Sequence, residues 1–382
     1  MKIGILTYWW SNDNYGQLLQ CFALQKYLQD KGHDAFLVRY HPMNDGRQMT
    51  IKERLLFSIN HPFRTFGIIY KKLMKKTTPA CTAEEVMDRK FNHFRNKFII
   101  STKTVFTSYK ELKESYPKAD MYIVGSDQIW NIDNEYATNT IDAWFLNFLP
   151  EEIIRCSYAA SFGRGKLSYA VGKKLKSRLK KFSVVTVREN SGKKICKKMR
   201  ISAEVVCDPT LLLPCDYYKF ISSEVVPLKK RYVFLYMLSN TCVFSVRKFS
   251  EWAKDSGLDI VYVSGNSGWK KCNYDDADIK KTNLTILEWL SYLANAEYVV
   301  TNSFHCTLFS LLFERKIAVV PLKGSVKNTN DRIESLFLNL NVSKTTIENN
   351  DFSVLKDLQP QKIDNNFIKK SKNILDSFTR EL

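Results

Sequence analysis

"KIGILTYWWSNDNYGQLLQCFALQKYLQDKGHDAFLVRY", residues 2–40, decides the fold class. "KIGILTYWW" is an apolar run of strand length, and "SNDNYG" after it is a polar turn. In "QLLQCFALQKYLQDKG" apolar residues recur at helical spacing, among them Leu18, Phe22, Leu24 and Leu28, and Gly32 is placed to end the helix. "DAFLVRY" is a second strand. Strand, helix and strand in that order form a βαβ unit, which implies parallel strands covered by helices.

The alternation continues along the chain. Strand-like runs recur at "ADMYIVGSD" (119–127), "IIRCSYAASFG" (153–163), "SVVTVREN" (183–190) and "AEVVCDPTLLL" (203–213), with a helical stretch at 166–182. A boundary is expected at "PCDYYKFISSEVVPLKK" (214–230). A second series then follows: strand 231–238, a helix, strand 259–265, a helix, "EYVVTNS", "HCTLFSLLFERK" and "IAVVPL". The tail "DNNFIKKSKNILDSFTREL" reads as helical. The expected class is α/β, with two Rossmann-like doubly wound domains at 1–213 and 214–345 facing a cleft, and a helical tail at 346–382. Ligands in such sheets bind at the carboxyl ends of strands, so the cleft is the expected active site.

The chain has 382 residues, 45% hydrophobic and 25% charged, the composition of a globular protein. No stretch reaches the roughly 18 uninterrupted apolar residues of a membrane span. The first residues show no secretory pattern, so a cytoplasmic location is expected. The nine cysteines are irregularly spaced and form no CxxC pair, which suggests neither a disulfide framework nor a zinc site. A formal charge of +19 favours an anionic partner. Residues 51–76, "IKERLLFSINHPFRTFGIIYKKLMKK", hold seven Lys or Arg against one Glu. Phe66, Ile69, Tyr70 and Leu73 fall on one helical face, apart from Lys71, Lys72, Lys75 and Lys76. Such a helix either lies at an anionic membrane surface or packs an apolar stripe beneath a solvated basic face.

Candidate site residues gather where strands end. "YVVTNSFH" places His305 in the first turn of an apolar helix that Asn302 or Ser303 can cap. Unpaired N–H groups at a helix start favour an anion, and a histidine there can bind one or act as an acid near neutral pH. "YIVGSD" brings Ser126 and Asp127 to a strand end, where the carboxylate can bind a hydroxyl group, take its proton, or shape the turn. "SVVTVREN" ends in Arg188, suited to bidentate recognition of carboxylate or phosphate, or else to an exposed pair with Glu189. Lys323 and Arg332 can add positive charge to the same cleft. Asn12, Asn14 and Gly16 stand at the start of the first helix, where they can receive an anion or a sugar, or where Asn14 can serve as the cap. The chain lacks GxxxxGK[ST], a GxGxxG after the first strand, GxSxG and HExxH. That argues against P-loop nucleotide hydrolysis, nicotinamide chemistry and the common hydrolase templates. No nucleic-acid motif accompanies the charge.

At these residues the chain resembles the polysaccharide pyruvyl transferase family. The resemblance runs in order through "ILTYWWSNDNYGQLLQCFALQKYL", "YIVGSDQIWN", "SYAASFG", "VREN", "VCDPTLLL", "TNSFH" and "RIESLF". It implies a GT-B-type fold, phosphoenolpyruvate as co-substrate without a further cofactor or metal, and a sugar or lipid-linked oligosaccharide as acceptor. The product would be a pyruvate ketal in a capsular or exopolysaccharide. Arg188 and His305 would hold the donor, with His305 also the acid, and Asp127 would bind the acceptor or act as base. Ser303 stands where some members carry an arginine, so Arg188, Lys323 or Arg332 would supply that charge. A lipid-linked acceptor would give the 51–76 segment a reason to meet the inner membrane face. Two further functions stay open on the residues alone: a GT-B glycosyltransferase using a nucleotide sugar, and a non-catalytic glycan- or nucleic-acid-binding protein. Polar residues at several strand ends favour a catalytic cleft over the last.

Overall fold

The computed structural model describes residues 1–42, 89–131, 140–238, 245–264, 279–281, 284–322 and 330–379. The basic segment at 51–76 and Lys323 lie outside the described residues.

The opening βαβ unit is present. Strand β1 (Lys2–Leu6) pairs in parallel with β2 (Asp34–Leu37), and helix α1 (Tyr15–Asp30) connects them. Asn14 caps α1, its side chain accepting from Gln17 N, and Gly32 follows the helix in the left-handed region at φ +85°. Strand β1 also pairs with β3 (Met121–Val124), which pairs with β4 (Ile154–Ser157), giving the sheet order β2-β1-β3-β4. Helices α2 (Phe91–Phe98), α3 (Tyr109–Ser115) and the short α4 (Ile141–Trp144) lie between these strands in sequence. After helix α5 (Tyr169–Leu179) comes the short pair β5 (Thr186–Val187) and β6 (Glu204–Val205), with α6 (Asn190–Lys198) between them. Isolated bridges Cys156–Val184 and Ala160–Val187 join this pair to the β4 edge.

Two long strand-like runs are shorter than the sequence suggests. "SVVTVREN" is strand only at Thr186–Val187. "AEVVCDPTLLL" is strand only at Glu204–Val205, and then becomes a 3₁₀ turn over Pro209–Leu211 that Asp208 caps. Pro209 has no N–H to give a ladder, and the Asp208 carboxylate takes the Thr210 N–H instead.

Helix α7 (Cys215–Ile221) leads into a second sheet. It contains β7 (Tyr232–Met237), β8 (Asp259–Ser264), β9 (Ile279–Lys281), β10 (Tyr298–Thr301) and β11 (Lys316–Val319) in the order β11-β10-β7-β8-β9, all parallel. Helices α8 (Val246–Asp255), α9 (Ile286–Asn295) and α10 (Phe304–Leu312) connect them, and α11 (Asn330–Asn339) follows β11. Strand order reverses between β1 and β3 in the first sheet and between β7 and β10 in the second. A reversal of this kind opens a crevice at the carboxyl ends of the strands.

Helix α1 is apolar on far more than one stripe, and most of its residues are buried. The reason is its position between the halves. The Tyr15 ring stacks on Trp289 of α9 at 5.1 Å, its hydroxyl donates to Leu284 O at 2.8 Å, and Phe22 stacks against Tyr217 of α7. No helix among the described residues is long and apolar enough to cross a membrane. The described cysteines are free thiols.

The tail forms α12 (Asn365–Ser377) and returns to the first half. Tyr27 OH donates to Asp376, Lys31 pairs with Asp376 at 2.7 Å, and Ser371 Oγ accepts from Cys207 N at 2.9 Å while donating to Phe367 O. Ser371 is fully buried, so truncating it strands an amide next to Asp208. Ser371→Ala is expected to cost about 1–3 kcal/mol. Urea unfolding should show a lower midpoint with an unchanged slope.

Candidate functional site

The carboxyl ends of both sheets meet around one buried carboxylate, Asp208. Strand β3 delivers Ser126 and Asp127 through Gly125, which has φ +115° and sits so close to Tyr158 O that a Cβ there would overlap it. Ser126 is fixed from α1. The buried Gln20 amide donates to Thr7 Oγ1 at 3.0 Å and to Gln17 O at 2.9 Å, and its oxygen accepts from Ser126 N at 3.0 Å. Strand β5 ends by delivering Arg188 and Glu189, which are 4% and 1% exposed. That excludes a solvent-exposed Arg–Glu pair. Beyond β10, Ser303 caps α10 by accepting from Cys306 N, and His305 follows in the first turn, 8% exposed.

Asp208 draws partners from both halves. Its Oδ1 accepts from Thr210 N at 3.1 Å and Thr210 Oγ1 at 2.8 Å. Its Oδ2 accepts from Arg188 Nη1 at 2.9 Å and from Ser126 Oγ at 3.2 Å, and lies 3.5 Å from His305 Nε2. That last contact is an ion-pair separation without the alignment of a hydrogen bond. Burial alone would raise the Asp208 carboxyl, but His305 and Arg188 together hold it well below the usual carboxylate range.

Arg188 is surrounded. Beyond Asp208, its Nη2 lies 3.8 Å from Asp127 Oδ1, its Nε 3.8 Å from Glu189 Oε2, and its guanidinium 4.4 Å from the Phe304 ring centre. Burial works against its charge, and the three carboxylates outweigh it, so the guanidinium is held more firmly protonated than usual. Arg332, at the start of α11, lies 5.8 Å from the same ring. With its amide oxygen turned towards Arg332, Gln128 accepts from both terminal nitrogens at 2.9 and 3.2 Å. Burial, and then repulsion from Arg188, lower Arg332 to about 10. Glu189 Oε1 accepts from Ser161 Oγ at 2.7 Å and Phe162 N at 3.2 Å, and burial raises its carboxyl. Among the described residues, Arg188 Nε and Nη2, Arg332 Nε, Glu189 Oε2 and His305 Nε2 are buried without a hydrogen bond. Buried polar atoms are normally paired, so these unpaired nitrogens, with the acceptor oxygen of Glu189 among them, mark a place built to receive a polar ligand.

The residues expected from sequence divide. Asp127, Ser126, Arg188, His305 and Arg332 are brought together. Asp127 also shapes its own turn, at φ +66° with Oδ1 accepting from Gln128 N. Gly16 faces His305 so closely that a methyl group there would overlap the imidazole. Ser303 is occupied as a cap, and Asn302 Oδ1 accepts from Leu238 N at 2.7 Å at the end of β7. Asn14 is likewise a cap, and Asn12 Oδ1 accepts from Arg95 at 2.7 Å. Asp208, Gln20 and Phe304 were not among the expected residues. An acid followed directly by proline after a strand, and a glutamine on the core side of an apolar helix, were the available signals.

Asp208→Asn removes the charge that Arg188 and His305 share. Breaking a buried charge set from one side costs about 3–5 kcal/mol. Because the folded Asp208 is depressed, its contribution is fully present above its unfolded value of about 3.9 and is lost as pH falls towards the folded value. Chemical unfolding should therefore show a wild-type advantage at pH 7 that narrows steadily below about pH 4.

The comparisons agree with this architecture. UDP-GlcNAc 2-epimerase from Methanocaldococcus jannaschii superimposes with a TM-score of 0.55 at 12% identity, covering 99% of this chain and 99% of that one. UDP-N-acetylglucosamine 2-epimerase from Rickettsia bellii does so with a TM-score of 0.52 at 10% identity, covering 98% and 95%. At such identities the likeness is one of fold: two Rossmann-like halves facing a cleft, the GT-B type. A search of curated proteins returned no match. The sequence profile of polysaccharide pyruvyl transferases matches residues 14–322, from the cap of α1 to just beyond β11, and so spans every residue of the cluster except Arg332. The chain belongs to the polysaccharide pyruvyl transferase family.

Proposed function

We propose that the protein moves the enolpyruvyl group of phosphoenolpyruvate onto two hydroxyls of one sugar, forming a pyruvate ketal in a cell-surface polysaccharide or its precursor. The observation that carries this reading is the enclosed pair of guanidinium groups, Arg188 and Arg332, with unpaired N–H donors beside His305. Phosphoenolpyruvate presents a carboxylate and a phosphate on adjacent atoms. Two forked cations at one aromatic ring suit that double anion. The family supports a sugar acceptor.

The chemistry needs an acid, an anion clamp and a base. Protonation of the methylene carbon by His305 turns it into a methyl group and leaves an oxocarbenium-like centre on the neighbouring carbon. One sugar hydroxyl attacks that carbon and passes its proton to Asp127. The carbon–oxygen bond to phosphate then breaks, the second hydroxyl closes the ring, and its proton leaves with inorganic phosphate. Arg188 and Arg332 hold the carboxylate and the departing phosphate where negative charge is greatest. Asp208 anchors Arg188 and stands beside His305.

Thermal unfolding with phosphoenolpyruvate, inorganic phosphate and UDP tests the donor. A ligand of the native state raises Tm by mass action, about 2.7 kcal/mol at a hundredfold excess over Kd. Phosphoenolpyruvate should stabilise the wild type, and the shift should vanish in Arg332→Gln. Stabilisation by UDP alone would replace this reading with a nucleotide-sugar glycosyltransferase. Gly16→Ala should lower acceptor-dependent phosphate release by roughly a hundredfold through displacement of His305. Retained turnover in that variant would remove His305 from the reaction.

A further inference from the structure

The chain between residues 164 and 200 contains fourteen Lys or Arg and one acidic residue, Glu189. Glu189 and Arg188 are buried in the site, so the remaining charge stands on α5, α6 and the loops around them. This stretch alone supplies +13 of the chain's +19.

Topology gathers it on one face. Strands β4, β5 and β6 are parallel and adjacent in order, so consecutive right-handed crossovers put α5 and α6 on the same side of the sheet. Their buried residues, Leu175 and Leu179 of α5 and Ile195 and Cys196 of α6, belong to one core cluster, and Gly172 of α5 approaches Met199 at the end of α6. The helices therefore lie side by side with their lysines outward. Lys173, Lys174, Lys193, Lys194, Lys197 and Lys198 are all exposed. Described carboxylates touch the edges of this face: Asp142 pairs with Arg178 at 2.8 Å, and Glu204 pairs with Lys193 at 3.2 Å and with Lys370 of α12 at 3.5 Å.

We propose that the α5–α6 face docks the protein on a bilayer surface rich in anionic lipid headgroups. The charge is spread over two helices, and ten of its thirteen cations are lysines. Lysine meets a diffuse anionic plane as a point charge, whereas reading of a nucleic acid favours the forked guanidinium of arginine. Tyr169, at the first turn of α5, is 88% exposed, an amphipathic ring of the kind that settles at a headgroup layer. The inference is independent of the donor assignment.

The test is co-sedimentation with vesicles of phosphatidylcholine alone or with a third phosphatidylglycerol, at two salt concentrations. Wild type should bind the anionic vesicles only, and more weakly in high salt. Each basic side chain near an anionic surface contributes about fivefold in affinity. The quadruple variant Lys173→Gln, Lys174→Gln, Lys193→Gln and Lys194→Gln should therefore lose binding by several hundredfold while its thermal unfolding, read by circular dichroism, stays as in the wild type. A second variant, with Lys71, Lys72, Lys75 and Lys76 changed to Gln, should keep most of its binding. Unchanged vesicle binding in the first variant overturns the proposal, as does loss confined to the second. Wild type that binds heparin or mixed nucleic acid but not vesicles overturns it in favour of a polyanionic chain.

Discussion

A carboxylate with no exposed surface is stable as an anion only if cations and donors replace its water. Asp208 meets that requirement with groups from four separate stretches of chain: Ser126, Arg188, Thr210 and His305. The first three belong to the first sheet and its loops, and His305 to the second. Charge neutralisation at one atom thus depends on the two halves being held in register. The carboxylate also sets the reach of both groups beside it, since Arg188 gives one nitrogen to Asp208 and keeps Nε and Nη2 free of hydrogen bonds.

Helix α1 supplies the register. It is packed against Trp289 and Tyr217 of the second half, while Gln20 reaches across its own loop to fix Ser126. Gly16 lies against His305. One helix therefore sets a distance on each side of the crevice, which explains why it is buried nearly all round. A helix with one wet face could not touch both.

The fold was legible in the sequence because alternation of apolar runs and helical spacing records sheet and helix directly. Gly32 and Asn14 marked the ends of α1 as their backbone roles require. The strand ends were harder. A run such as "AEVVCDPTLLL" is apolar throughout, so its pattern does not reveal that Pro209 stops the ladder and turns Asp208 inward. Spacing placed Arg188, Asp127 and His305 at strand ends, but not their common partner, because long-range convergence on a buried charge leaves no local period. Asn302 and Asn12 show the converse: polar residues in the right loops whose side chains meet Leu238 and Arg95. The basic face of α5 and α6 is half legible: the run of charge at 164–200 stands in the sequence, but only the crossover geometry sets both helices on one side of the sheet.

The return of α12 to the first half has a mechanical consequence. The chain passes from the first sheet to the second between Leu213 and Tyr232, and comes back ahead of Asn365, where Ser371 and Asp376 fasten it near β6 and α1. Two covalent crossings restrain the two halves more tightly than one would. A break in either crossing would still leave the other, with the packing of α1, to keep Arg188 and His305 at their shared carboxylate.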